Sequence, residues 1–395
     1  MIHNTKSFSI SAASEEYRKH AVTVKDMYFR INEILANYPN LLADFDCDEL
    51  LQQVIRAQER IDRGKQDPLT GIPFIVDDLF NSEKMTTKRG SPYYEGYTAG
   101  NNARSIFNLL SAGAVLIGKT YTSELGRFSQ NITYTDERSS TFGAAVPIKQ
   151  GVAMFSLNMH GGALIQTVSS SCEVYGFKPS FGRIPRTGVL SMRNTIDCPA
   201  IYTNFLSDIK TIINAIMVKG SNYPFSFGKE SYAQSMDKTW NVGIIGDGVA
   251  FTDTIKNEKC IKFNSISIPD IFKSWIDEYE VICRKAASIY CETNFMDRQT
   301  SGIEEIIHEG SGISATQYTN ALEHQVKLID AVDEWLREYD ILISFGDKHF
   351  GSFCSYTHIP AVFIPDGNGT QIASRKYCDF KLLSFIERWY CYKEG

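Results

Sequence analysis

Few side chains in this sequence stand where chemistry would be expected. Asp77 and Asp78 close a short apolar run, Gly71-Ile-Pro-Phe-Ile-Val-Asp-Asp78. On a strand, adjacent side chains point to opposite faces, so these two do not read as a carboxylate dyad. A buried Asp77 would be a candidate general base; the alternative is a polar group bonded to nearby backbone. Ser139 and Ser140 offer hydroxyls that become nucleophiles only beside a base, and that otherwise cap or turn the chain. His160 precedes Gly161-Gly162-Ala163. It titrates near neutral pH, so it is either an acid–base group or a packed ring. His358, in Ser355-Tyr-Thr-His-Ile-Pro360, presents the same choice. Cys172 follows three serines and could replace a nucleophile, although inert packing is the simpler reading. No Cys/His spacing of the zinc type occurs, so neither a metal nor a cofactor is expected.

Composition narrows the setting. The chain has 395 residues, with 43% hydrophobic and 22% charged, which suits a globular core of ordinary size. The net charge of −6 gives no basic surface for nucleic acid or an anionic membrane. The N-terminus lacks a basic stretch followed by an apolar run, so it does not read as a secretory signal. The longest apolar stretches, such as Ala114–Gly118 and Ile341–Phe345, are too short to span a bilayer. Nine cysteines, an odd number without a C-x-x-C pair, suit free thiols in a reducing cytoplasm.

The elements that must position these residues follow from periodicity. Residues 14–37 read as one helix, with Val22, Met27, Ile31 and Ile34 at mixed three- and four-residue spacing. Residues 47–63 read as a stronger helix with an acidic first turn. Gly71–Val76 and Ala114–Gly118 read as buried strands around a helix over 102–113, the alternation of an α/β sheet covered by helices. Further helices are expected over 204–219, 271–290 and 318–338, and strands over Trp240–Ile245 and Tyr339–Phe345. Residues 142–182 are rich in Gly, Ser and Ala and show little period, which predicts a closely packed site without regular structure. Residues 220–240 read as a surface excursion. We expect a single domain over 1–395, with N-terminal helices over 1–65 and an α/β core over 66–395.

Four stretches together resemble the amidase-signature family. They are Gly71–Asp78, residues 85–124 with GAVLIGKT, residues 161–189 with GFKPSFGR, and the late pair Asp340-Ile-Leu-Ile and Ile359–Gly367. The resemblance implies a single α/β domain with a large mixed sheet flanked by helices. It also implies amide hydrolysis through an acyl-serine, driven by a lysine, a bridging serine in a cis peptide and a nucleophilic serine. Carried over residue by residue, the lysine position falls on Asp77, the bridging serine on Ser139 and the nucleophile on Ala163. The family's Asp before the glycines is Met159, and its Arg after the nucleophile is Ile165. His160, Gly161, Gly162 and Ala163 would still supply an oxyanion loop through backbone N–H groups. Ser140 and His358 fall on the substrate side, and Lys178 on a structural lysine.

Three readings follow. The first is a repurposed enzyme that binds a carboxamide or carbonyl small molecule and uses Asp77, Ser139 or His160 in acid–base chemistry such as cyclisation, rearrangement or amide formation. The second is an inactive pseudo-amidase that binds a ligand or a protein partner. The third is an amidase with a non-standard nucleophile.

Overall fold

Among the described residues, ten strands build one mixed sheet, and one of its two parallel edges carries the polar residues of interest. The computed structural model describes residues 8–127, 142–160, 162–217, 239–246, 260–269, 272, 274–295 and 300–389. The helices in chain order are α1 (Ile10–Arg18), α2 (Val24–Asn37), α3 (Cys47–Asp62), α4 (Arg104–Ser111), α5 (Val146–Gln150) and α6 (Ala163–Cys172). They continue with α7 (Asp208–Ile216), α8 (Trp275–Asn294), α9 (Ser301–Ser311), α10 (Ala315–Trp335), α11 (Phe350–Tyr356) and α12 (Asp379–Trp389). The strands are β1 (Pro73–Asp77), β2 (Val115–Thr120), β3 (Phe155–His160), β4 (Tyr175–Lys178) and β5 (Cys198–Thr203). The rest are β6 (Trp240–Ile245), β7 (Ile261–Ile266), β8 (Ile341–Phe345), β9 (Ala361–Phe363) and β10 (Thr370–Ala373).

The sheet order is β2-β1-β3-β5-β4-β9-β10-β8-β6-β7. β1 pairs in parallel with β2 and β3, the middle strands run antiparallel, and β8-β6-β7 is parallel again. This is the single α/β fold with a large mixed sheet that the resemblance implied. β1 and β2 are buried along their whole length, which explains why they read as apolar runs rather than alternating ones. The outer edge of β2 is covered by residues 43 and 44, bonded to the Lys119 backbone. Among the described residues, no helix is long and apolar enough to cross a membrane.

Two expectations need correction. Residues 14–37 form two helices, because His20 adopts φ 53° and Thr23 then starts a new helix in a capping box with Asp26. Residues 142–182 hold α5, β3, α6 and β4 rather than irregular chain. Within that stretch Phe155-Ser-Leu-Asn-Met-His160 alternates apolar and polar, the period of a strand, which the surrounding Gly and Ser residues concealed. β5, β7, β10 and α9 had no counterpart in the periodicity, while most of the excursion over 220–240 lies outside the described residues.

Buried charges pin the site-bearing edge. Lys119 is fully buried, and its Nζ lies 2.8 Å from Asp78 Oδ1. It also donates to Thr87 Oγ1 at 2.8 Å and to the Thr86 carbonyl at 2.9 Å, so all three ammonium protons have acceptors. Burial pushes the Asp78 carboxyl up and the Lys119 ammonium down, and each charge partly offsets the other's shift. Elsewhere, Asp379 at the start of α12 accepts from the Ser180 N–H and hydroxyl, both at 2.7 Å, and from Arg183 at 3.1–3.2 Å. The GFKPSFGR stretch is thereby tied to the C-terminal helix.

Removing one member of such a pair leaves an uncompensated buried charge. We expect Lys119→Met to lower unfolding free energy in urea by about 3–5 kcal/mol. The double variant with Asp78→Asn should lose clearly less than the sum of the single losses, and strict additivity would refute the coupling.

Candidate active site

The register of the β2-β1-β3 edge brings three polar side chains onto one face. Asp77 pairs with Thr120 across β1 and β2. Val76 pairs with Leu157 across β1 and β3, so Asp77 stands beside Asn158. Paired residues share a face of the pleat, so Thr120, Asp77 and Asn158 form a row at the carboxyl ends of three parallel strands. In open α/β sheets this is where ligands bind. Asp78, one residue on, turns to the opposite face to meet Lys119, as strand alternation requires.

Asp77 is 4% exposed. Its Oδ2 accepts the Met159 N–H at 2.7 Å and its Oδ1 accepts the Leu79 N–H at 3.0 Å. Burial pushes its carboxyl up to about 7, against the downward pull of those two N–H groups. Thr120 Oγ1 and Asn158 Oδ1, in side chains 0% and 1% exposed, have no hydrogen-bond partner among the described residues. Tyr202, paired with Ser156 across β5 and β3, lies on the same face, and its buried phenol feels the Asp77 charge.

α6 begins over this face. Gly162 is its N-cap, with φ 89° and no side-chain cap. A Cβ there would stand 2.2 Å from the Gly351 carbonyl oxygen and 2.5 Å from Ser355 Oγ, so only glycine fits. α11 therefore packs directly against the start of α6. Ser355 is 1% exposed, and its hydroxyl has no partner among the described residues. The first N–H groups of a helix have no intrahelical acceptor, so this junction suits a developing negative charge.

The other candidates divide. Ser139, Ser140 and Gly161 lie outside the described residues, as do the side chains of His160 and Ala163, although the backbones of His160 and Ala163 end β3 and begin α6. Met159 and Ile165 are both buried, as apolar occupants of their positions should be. His358 has structural contacts: Nε2 meets the Thr195 carbonyl at 2.8 Å, and the ring stacks on Phe181 at 4.1 Å. Burial lowers its pKa to about 3, so the ring stays neutral, and no described contact links it to the Asp77 face. Burial pushes the Cys172 thiol up to about 11, which suits packing rather than attack. No cluster of three or more metal-ligating side chains occurs among the described residues. Thr120, Asn158 and Ser355 escaped the sequence reading. The alternation through β3 could have flagged Asn158, but nothing in the sequence pairs Ser355 with Gly162.

Known proteins agree with this architecture. The A-type subunit of glutamyl-tRNA(Gln) amidotransferase from Dehalococcoides mccartyi is 31% identical over 183 residues, which is 43% of this chain and 38% of that protein. Its counterpart from Thermoanaerobacter pseudethanolicus is 27% identical over 227 residues, 53% of this chain and 46% of that protein. The matched stretches thus span less than half of those relatives. Among solved structures, 6-aminohexanoate cyclic dimer hydrolase with substrate superposes at a TM-score of 0.80, with 14% identity and 98% of each chain covered. The inhibitor-bound form of a vestigial protein complex, bearing on the origins of an s-triazine catabolic enzyme, gives 0.79 at 19% identity, covering 95% of this chain and 97% of that one. At such identities the fold alone is shared. The profile of the family described as Amidase matches residues 24–135 and 139–254, more than half of the sequence, and the chain therefore belongs to the amidase family.

Proposed function

We propose that this chain binds a small carboxamide or related carbonyl compound over the Thr120–Asp77–Asn158 face and acts on it by non-hydrolytic acid–base chemistry centred on Asp77. The observation that carries this reading is a buried carboxyl, held by two backbone N–H groups, with its pKa raised to about 7 at the carboxyl ends of parallel strands. A group poised there can give or take a proton at neutral pH. The N-terminus of α6 would stabilise the negative charge that develops on the carbonyl oxygen. In this reading Asp77 replaces the triad lysine and Ala163 the nucleophile, so hydrolysis through an acyl-serine is lost. Ser139, Ser140, His160 and Gly161 would complete the site, and His358 would act only by supporting the wall that bears Thr195. The protein would work as one domain in the cytoplasm.

A second reading has its own support. The amidotransferase relatives are subunits, and one structural neighbour is a complex. Close packing of α11 on Gly162 also suits a pseudo-amidase that has closed its cleft and serves a protein partner.

Two measurements test the first reading. A fluorophosphonate probe should leave the protein unlabelled, because Ala163 carries no hydroxyl; clean stoichiometric labelling would establish a non-standard nucleophile. The second measurement is the pH dependence of stability. Asp77 ordinarily titrates at 3.8 but holds its proton to about 7 when folded. Its contribution to stability is present below the unfolded pKa and is lost as pH rises through the folded one. Asp208, also pushed up by burial to about 7, adds to the same decline, so the comparison belongs in an Asp208→Asn background. There, Asp77→Asn should flatten the remaining fall in urea-unfolding free energy between about pH 4 and 7. An unchanged slope would show that Asp77 titrates normally and is no acid–base group.

A further inference from the structure

The acceptors on the Asp77 face outnumber the donors that the described residues supply to them. The Asp77 carboxylate has about four lone-pair directions, and two are occupied by the Met159 and Leu79 N–H groups. Asn158 Oδ1 beside it is a pure acceptor without a partner, and Thr120 Oγ1 on the other side is likewise unpartnered. All three side chains are at least nine-tenths buried. The nearby cation does not serve them, because Lys119 turns to the opposite face and its protons go to Asp78, Thr86 and Thr87. Among the described residues the other ionisable groups that act on this face are Asp78, Cys172 and the Tyr202 phenol, none of which brings positive charge. Two acceptor-only groups, the Asp77 carboxylate and Asn158 Oδ1, beside a threonine hydroxyl that can accept or donate, are complementary to N–H groups and opposed to a ligand carboxylate.

We propose that the Thr120–Asp77–Asn158 row receives the nitrogen end of its ligand, an NH2-bearing group that is neutral in a carboxamide and cationic in an amidine. The ligand's carbonyl oxygen, where it has one, is left to the α6 end of the site. This inference rests on the reading of that face as a ligand site and adds which end of the ligand faces Asp77. An NH2 group bridging Asp77 and Asn158 supplies the donors that both lack, and the Thr120 hydroxyl can accept from the same nitrogen or donate to Asp77.

Three isosteric probes test it: acetamidine, acetamide and acetate, titrated at pH 8.5 into the full chain with binding followed by saturation-transfer NMR. The expected order is acetamidine tightest, then acetamide, with acetate weakest. Thr120→Val and Asn158→Leu, each checked for folding by circular dichroism, should weaken acetamidine by about tenfold, the loss of one hydrogen bond to a charged group. Asn158→Asp, which adds charge without changing shape, should strengthen acetamidine. Should Asn158→Leu fail to fold, Thr120→Val and Asn158→Asp carry the test. Acetate binding as well as acetamidine would overturn the orientation while leaving the ligand site standing. If none of the three binds, the two orphaned atoms serve only ordered water, and both the orientation and the ligand-site reading fall.

Discussion

The whole site depends on how β1 ends. Two adjacent carboxylates leave the strand on opposite faces, and among the described residues only Asp78 meets a cation. Asp78 takes Lys119 and helps lock β1, β2 and the 86–88 turn into a single edge. Asp77 is left on the other face with backbone N–H groups for company. Hydrogen bonds from neutral donors lower a carboxyl pKa, but here they do not outweigh the loss of water, and the net shift is upward. A residue that would be an ordinary ionised aspartate on the surface becomes a group that holds its proton to neutrality.

The surroundings are arranged to keep that imbalance. Residues 43 and 44 pair with the Lys119 backbone at the outer edge of β2, and every residue of that strand is buried. Phe74 and Phe155 stack at 5.4 Å across β1 and β3, supporting the register that places Asn158 beside Asp77. At the start of α6, Gly162 allows the backbones of α6 and α11 to approach more closely than any side chain would permit. Members of one family can keep such a scaffold while altering the reacting groups, since fold follows from packing and function from a few side chains. Met159 and Ile165 are buried and apolar, so neither position leaves an unpaired charge in the core.

Residue pattern located β1, β2, α3, α7 and β6, the strands as short apolar runs and the helices by their period. It failed over 142–182, where Gly and Ser dilute the pattern, although β3 itself carries a clean alternation. It also merged α1 with α2, because the apolar positions on either side of the Thr23 cap happen to keep helical spacing. At the site, the sequence pointed to Asp77 through its position after an apolar strand. It favoured His358 as readily, and the fold gave that ring a packing role against Phe181 and Thr195.

What the sequence determined by itself was the identity of the parts: a family scaffold, two adjacent aspartates at the end of an apolar run, and strand alternation that separates Asp77 from Asp78. These are local facts, encoded in residue type and in a period of two. What only the tertiary structure decided was which groups meet. Thr120 and Asn158 lie 43 and 81 residues beyond Asp77 in the chain, and Ser355 reaches Gly162 from almost 200 residues away. Strand register and helix packing set those encounters, and burial, a property of the assembled core alone, set the proton affinity of Asp77.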